Sequence, residues 1–264
     1  MRSNITSVLL ALLGYSGVSQ ATTLLLSDNF NDNPNNATWS FNDSLASTQA
    51  GSLATVTYSV QGFNYVAQHS NGGYLLVATA TDGNGNGSVS LNNNFASQAN
   101  AANQPLQITF NINSVAGYGD TTRWVQFNVG ASQHLDVGNP GVGAGVLFRV
   151  SGDTQLLSAG AGIGTGGTWS ADDLVTITFS GTGGVGSAFN GNGSQAAISI
   201  GSTNYGTFTL GQQTDAYLTF SAFNYGGDQF GLGRFDNLSV SLIPEPSALL
   251  LGGFGLLALL RRRR

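Results

Sequence analysis

The residues of this chain that could do chemistry are few, and most are aspartates. Asp28 and Asp236 are the first pair to weigh. Counting by two, Asp28 falls on the strand face of Leu24, Leu26 and Phe30, and Asp236 on that of Leu238, Val240 and Leu242. An ionised carboxylate on an apolar face is costly unless it is paired or ligates a cation. If the first and last strands pair antiparallel, the two carboxylates converge beside Asn29 and Asn237, a hard-oxygen set suited to structural Ca²⁺. If strand phase breaks at the ends, both instead face solvent or cap turns. Asp82-Gly83-Asn84-Gly85-Asn86-Gly87 has the opening of a calcium loop, but Asn93 stands where a bidentate Glu is needed. That segment reads better as a Gly-Asn hairpin turn between strands.

Nucleophilic catalysis finds little to work with. The two histidines, His69 and His134, read as surface-loop residues, and no G-x-S-x-G elbow accompanies them. Asp172-Asp173 reads as a solvated turn before Val175, since adjacent strand residues point to opposite faces. Absence of Cys removes disulfides and thiolate sites, and absence of Lys removes P-loop and Schiff-base chemistry. The single Glu, Glu245, leaves no Glu-based glycosidase dyad. With no catalytic constellation, the chain reads as non-enzymatic.

Carbohydrate binding needs less: an aromatic platform with amide and hydroxyl groups on one face. Trp124, Gln126 and Asn128 share a face opposite Val125, Phe127 and Val129. Tyr217, Thr219, Ser221, Phe223 and Tyr225 share another opposite Leu218, Phe220 and Ala222. These stripes suit polysaccharide, unless a loop covers the face or it forms a second core.

The elements that position these residues are strands. Period-two alternation marks Leu106 to Asn113, Val175 to Ser180 and Asn237 to Leu242. Further strands are expected over Ser52 to Val60, Gly73 to Thr79, Thr122 to Val129, Gly145 to Ser151, Gln195 to Ile200, Tyr205 to Leu210 and Ala216 to Asn224. Gly, Asn and Asp clusters separate them. The expected fold is all-β: a single jelly-roll-like antiparallel β-sandwich over residues 22–242. An N-terminal signal helix and a short C-terminal hydrophobic helix would flank it. Between Thr22 and Leu242, twelve Asp stand against three Arg, a net charge of −9 that argues against nucleic acid as a partner.

The ends obey other rules. Residues 1–21 read as a signal peptide: Arg2, the apolar run Val8 to Leu13, and small residues at Ser19 and Ala21 before a cleavage site. This implies the Sec export machinery as a partner. Residues 243–264 hold Pro244-Glu245-Pro246, an uncharged apolar stretch to Leu260, and the cluster Arg261, Arg262, Arg263 and Arg264. As a helix, Ser247 to Leu260 would span only ~21 Å at 1.5 Å per residue. A hydrocarbon core is ~30 Å thick, so this is a short anchor. The terminal arginines would stay on the cytoplasmic side, leaving the body outward.

This tail resembles the PEP-CTERM sorting signal of Gram-negative bacteria. The resemblance implies recognition by an exosortase, processing near the tripeptide, and association with exopolysaccharide and biofilm systems. The body's opening Leu26-Ser27-Asp28-Asn29-Phe30-Asn31-Asp32 and closing Gly233-Arg234-Phe235-Asp236-Asn237-Leu238-Ser239-Val240 resemble the ends of concanavalin A-like (laminin G-like) jelly rolls. The expected function is an exported surface or matrix protein, transiently held in the inner membrane by its tail, that binds polysaccharide. An Asp-dependent glycan-active enzyme on the same fold and a purely structural matrix protein are the alternatives.

Overall fold

Strict alternation of apolar and polar residues gives a strand one face to bury, and such strands are stable only when two sheets close over the buried faces. A computed structural model describes residues 21–30, 38–39, 49–53, 56–61, 65–70, 74–79, 84–117, 123–135, 139, 141–191, 193–225 and 231–244. The expected signal helix and hydrophobic tail helix lie outside the described residues. No helix among the described residues is long and apolar enough to cross a membrane.

Residues Thr23–Ile243 form one compact unit of two antiparallel sheets. Sheet A contains β1 (Thr23–Asp28), β2 (Thr38–Trp39), β4 (Tyr65–Ser70), β5 (Tyr74–Thr79) and β7 (Leu106–Gly117). It continues with β12 (Asp173–Gly181), β13 (Ser194–Ile200), β14 (Thr203–Leu210) and β16 (Gly231–Leu242), in the order β14-β13-β12-β7-β16-β5-β4-β2. β16 divides its free side, pairing β5 through Leu232 to Phe235 and β1 through Leu238 to Leu242. The first and last strands are therefore antiparallel neighbours.

Sheet B holds β3 (Tyr58–Gln61), β6 (Asn84–Leu91), β8 (Trp124–Gly130), β9 (Val142–Arg149), β10 (Asp153–Ser158), β11 (Ala161–Thr168) and β15 (Tyr217–Tyr225). Its order is β11-β10-β9-β8-β15-β6-β3. A short helix, α1 (Ala96–Ala102), follows β6 and buries Ala96 and Ala99.

Phe110 of sheet A stands at the centre of the core. Its ring meets Phe127 at 4.6 Å, Phe220 at 5.7 Å, Phe235 at 5.8 Å and Phe148 at 6.4 Å. Alternation holds where it was clearest: Leu106, Ile108, Phe110 and Ile112 are buried, and so are Val175, Ile177 and Phe179. This is the expected all-β jelly-roll-like sandwich.

Several local expectations need correcting. Asn84 to Gly87 belong to β6, and β5 and β6 lie in different sheets, so the Gly-Asn stretch is not a hairpin turn within one sheet. His69 lies in β4, opposite Leu75, rather than in a loop. β10, β11 and α1 carry too little apolar alternation to be seen: β11 reads Ala-Gly-Ile-Gly-Thr-Gly-Gly-Thr, and α1 is built of small and polar residues.

Candidate functional site

In sheet B, Val125, Phe127, Val129, Leu218, Phe220, Ala222, Val89 and Leu91 turn inward to the core. Pleating then sends Trp124, Gln126, Asn128, Tyr217, Thr219, Ser221, Phe223, Ser88 and Ser90 to the outer face. Register aligns them in rows across the sheet. One row runs Ser59, Ser90, Thr219, Asn128, Gly145; the next runs Gln61, Ser88, Ser221, Gln126, Leu147. A third places Phe223 level with Trp124, and Trp124 opposite Arg149. Tyr225, the last residue of β15, pairs with Asn84.

The two ends of this face differ. At the Asn128 end the segment after β8 folds back over the sheet. Asn128 Nδ2 donates to Leu135 O at 2.8 Å, and Gln133 Nε2 donates to Leu91 O at 3.3 Å. His134 sits between two strands, with Ser59 Oγ 2.9 Å from Nε2 and Ser88 Oγ 2.9 Å from Nδ1. A neutral imidazole offers one donor and one acceptor, and the two hydroxyls can supply the complement. His134 takes φ 58° to reach this position. It is half-buried rather than a surface-loop residue, because the face it covers is polar enough to bond both ring nitrogens. Asn128, Gln126, Thr219 and Ser221 are accordingly buried, where the sequence suggested a wet face. Ser90 Oγ donates to Leu218 O at 2.9 Å and meets Thr219 Oγ1 at the same distance. Ser221 Oγ has no hydrogen-bond partner among the described residues.

Burial lowers the His134 pKa from its ordinary 6.5. The folded protein thus binds this proton more weakly than the unfolded chain. The stability of neutral His134 is complete above about pH 6.5 and is lost as pH falls through that value towards the lower folded one. The wild-type melting midpoint should therefore drop further between about pH 7.5 and 5.5 than that of His134→Gln. Equal drops would mean that His134 does not titrate against the fold. Asp236 acts with the opposite sign but is common to both proteins.

At the other end the face opens. Trp124 and Phe223 are half-buried and stack with ring centroids 5.0 Å apart and planes 3° from parallel. Beside them Arg149 Nη2 donates to Gln155 Oε1 at 3.0 Å, and Trp169 Nε1 donates to Arg149 O at 2.9 Å. Tyr217, half-buried, lies at the far end of β15, level with Gly130. The structure thus brings Trp124, Gln126 and Asn128 onto one face with Tyr217, and separates Trp124 from Tyr217 along it. Phe223 and Arg149 complete the open end. Phe223 was visible in its stripe, whereas Arg149 is joined to Trp124 only by the β8–β9 register.

The two aspartates sit elsewhere, at the β1–β16 seam. Asp28 pairs in register with Leu238 and is buried, as are Leu26 and Phe30, whereas Leu24 of the expected face is exposed because the β1–β16 register shifts between Leu24 and Leu26. Its Oδ1 accepts from Phe30 N at 2.8 Å, and its Oδ2 accepts from Tyr58 OH at 2.8 Å and from Gln49 Nε2 at 3.4 Å. Asp236 does not share the face of Leu238. A register shift lies between Asp236 and Ser239, with Asn237 at φ 51°, so Phe235 and Leu238 both turn inward. Asp236 Oδ1 accepts from Asn237 N at 2.6 Å and Oδ2 from Asn237 Nδ2 at 3.2 Å. Burial raises the Asp236 pKa, the Asn237 amide opposes this, and the charges of Asp172 and Asp28 add to the rise.

Each oxygen of both carboxylates accepts at least one hydrogen bond from the protein. Among the described residues, no group of three or more His, Cys, Asp or Glu could hold a metal ion. Tyr58 ties Asp28 of sheet A to sheet B, so Tyr58→Phe should cost about 1–3 kcal/mol by leaving a buried carboxylate short of a donor. An unchanged denaturant midpoint would show that the bond adds nothing.

Comparison with curated proteins finds no match. Among solved structures, the chain is similar to the Emp46p carbohydrate recognition domain, at 9% identity and TM-score 0.47, covering 69% of this chain and 87% of that one. It is similar also to lectin II from Ulex europaeus, at 12% identity and TM-score 0.43, covering 70% and 92%. A sialidase is similar at 9% identity and TM-score 0.45 over 69% of this chain, which spans only 16% of the sialidase. No functional residue is carried over from these structures. Residues 242–264 match the PEP-CTERM protein-sorting motif, so the chain carries the signal of an exosortase-sorted surface protein.

Proposed function

We propose that this protein is exported, sorted through its C-terminal tail to the cell surface or extracellular matrix, and binds polysaccharide non-covalently on the outer face of sheet B. The observation that carries the binding reading is the parallel Trp124–Phe223 pair at the open end of a polar face. Sugar rings present C–H faces that pack against aromatic rings, while their hydroxyls need hydrogen-bonding neighbours. Arg149 and Gln155 lie beside the pair, while Gln126 and Ser221, one row further along the same face, are buried. Two stacked aromatics left half-exposed in such surroundings are more readily understood as a contact surface than as core.

Binding without catalysis is the preferred form of this reading, with the tail holding the chain in the inner membrane until an exosortase processes it. The full chain should show saturable binding to polysaccharide on a glycan array and release no sugar ends on prolonged incubation. Release of sugar ends that one Asp→Asn change abolishes would favour a glycan-active enzyme. No saturable binding at all would leave a structural matrix protein.

A further inference from the structure

The β3–β6 side of sheet B holds a second arrangement, which polysaccharide binding does not use. Ser59 lies on β3, the terminal strand of the sheet, between the inward-facing Tyr58 and Val60. Its side chain therefore stands on the outer face, half-buried. Ser88, on the neighbouring strand β6, stands on the same face and is buried. His134 reaches over both, with Ser59 Oγ 2.9 Å from Nε2 and Ser88 Oγ 2.9 Å from Nδ1.

The next bonds outward favour one direction for the protons. Ser88 Oγ donates to Gln61 O at 3.3 Å, which leaves its lone pairs for the Nδ1–H of His134. Nε2 is then the acceptor, and Ser59 Oγ donates to it. The alternative acceptor for that hydroxyl, Ser90 O, is farther away, at 3.4 Å. A hydroxyl bonded to a base, with the base oriented by a third group, is the arrangement that activates a serine nucleophile. Burial lowers the His134 pKa and so keeps the imidazole neutral and basic at pH 7. His134 holds its ring there at φ 58°, a backbone conformation that ordinary residues disfavour.

The sheet edge adds an oxyanion donor. Asn92 N donates to Thr57 O, its neighbour across the strands, so Thr57, Ser59 and Gln61 turn their backbone groups towards β6. Tyr58 and Val60 turn theirs the other way, where no strand among the described residues pairs with β3. The Val60 N–H, next in the chain after Ser59, can therefore donate to an oxyanion forming on a carbonyl held at Ser59.

We propose that this site hydrolyses short acyl esters, with Ser59 as nucleophile, His134 as general base and Ser88 as the residue that positions His134. Ser59 Oγ bonds the ester carbonyl carbon as its proton passes to His134 Nε2. The carbon–oxygen bond to the alcohol then breaks, and Nε2 gives that proton to the leaving oxygen. Solvent water attacks the acyl-Ser59 in turn and passes a proton to Nε2. The carboxylic acid leaves as Nε2 returns the proton to Ser59 Oγ. Ser90 and Thr219, next along the row, are small and polar and offer no apolar slot for a long acyl chain. The activity goes beyond polysaccharide binding at the Trp124–Phe223 pair and leaves glycosidic bonds intact.

The test gives the full chain p-nitrophenyl acetate and, separately, a fluorophosphonate that labels activated serines. The acetate should be turned over, and peptide mass spectrometry should find the label on Ser59. Ser59→Ala and His134→Gln should each lower kcat at least about tenfold. Ser88→Ala should lower kcat with KM unchanged, and Ser88→Thr, which keeps the hydroxyl, should recover most of the loss. Should His134→Gln fail to fold, labelling of the unaltered chain and the Ser59→Ala rate carry the comparison. No label, a label on another serine, or hydrolysis that persists in Ser59→Ala would overturn the assignment. Equal turnover of p-nitrophenyl palmitate would overturn the short-chain preference. Each of these outcomes leaves polysaccharide binding, which the glycan array reads separately, as it was.

Discussion

Deleting residues 245–264 should remove most of the protein from the surface fraction of the cell and leave it as a soluble exported chain. These residues include the sole Glu, the apolar stretch and four of the eight arginines. No helix among the described residues is long and apolar enough to cross a membrane. On the proposed reading the fourteen uncharged residues from Ser247 to Leu260, which include Gly252, Gly253 and Gly255, would give temporary retention before processing. On the same reading the terminal Arg cluster would bias the tail end to the cytoplasmic side, and losing it would remove that bias. The compact unit Thr23–Ile243 does not include the deleted stretch, so the truncated chain should keep its β-rich circular dichroism. Fractionation with immunoblotting reads the outcome. A truncated chain that distributes like the full one would show that the tail does not sort it.

Trp124→Ala should lower polysaccharide affinity on the order of 30-fold, about the 2 kcal/mol expected of a buried aromatic anchor. The indole is the larger half of the stacked pair, and removing it also frees Phe223 to turn into the gap. Because Trp124 is only half-buried and lies outside the core, the fold should tolerate the change, with a melting midpoint close to wild type. Tyr217→Ala is the contrasting change. It lies on the same face but at the other end of β15, level with Gly130, and should affect binding less. Similar losses from both would mean that binding spreads along the whole face.

Much of this fold could be read from alternation. β7, β12 and the second half of β16 have strict period two, and their inward residues form the core. β16 also shows where counting by two fails. One positive-φ residue, Asn237, slips the register and moves Asp236 off the face of Leu238. Nothing in Phe-Asp-Asn-Leu marks that slip, because Asn tolerates the left-handed conformation and turns and strands alike can hold it. The Gly-rich β11 buries little through its side chains and is held by its β10 partner, a long-range fact.

The site was legible in part. The stripe of Trp124, Gln126 and Asn128 and that of Thr219, Ser221 and Phe223 could be counted off, but not that they are adjacent. Only the β8–β15 pairing makes them one face, and only the return of residues 131–135 closes its Asn128 end. His134 was misplaced for the same reason: its serine partners are 75 and 46 residues away in sequence. Tertiary pairing, not local propensity, decides such positions.

The most direct test of the binding claim is a ¹H–¹⁵N spectrum of the full chain titrated with polysaccharide, followed at its three tryptophan indoles. Trp124 should shift on binding and saturate. Trp169, whose Nε1 is already bonded to Arg149 O, should move much less. A polysaccharide that binds saturably while leaving the Trp124 indole unmoved would contradict the placement of the site on the outer face of sheet B.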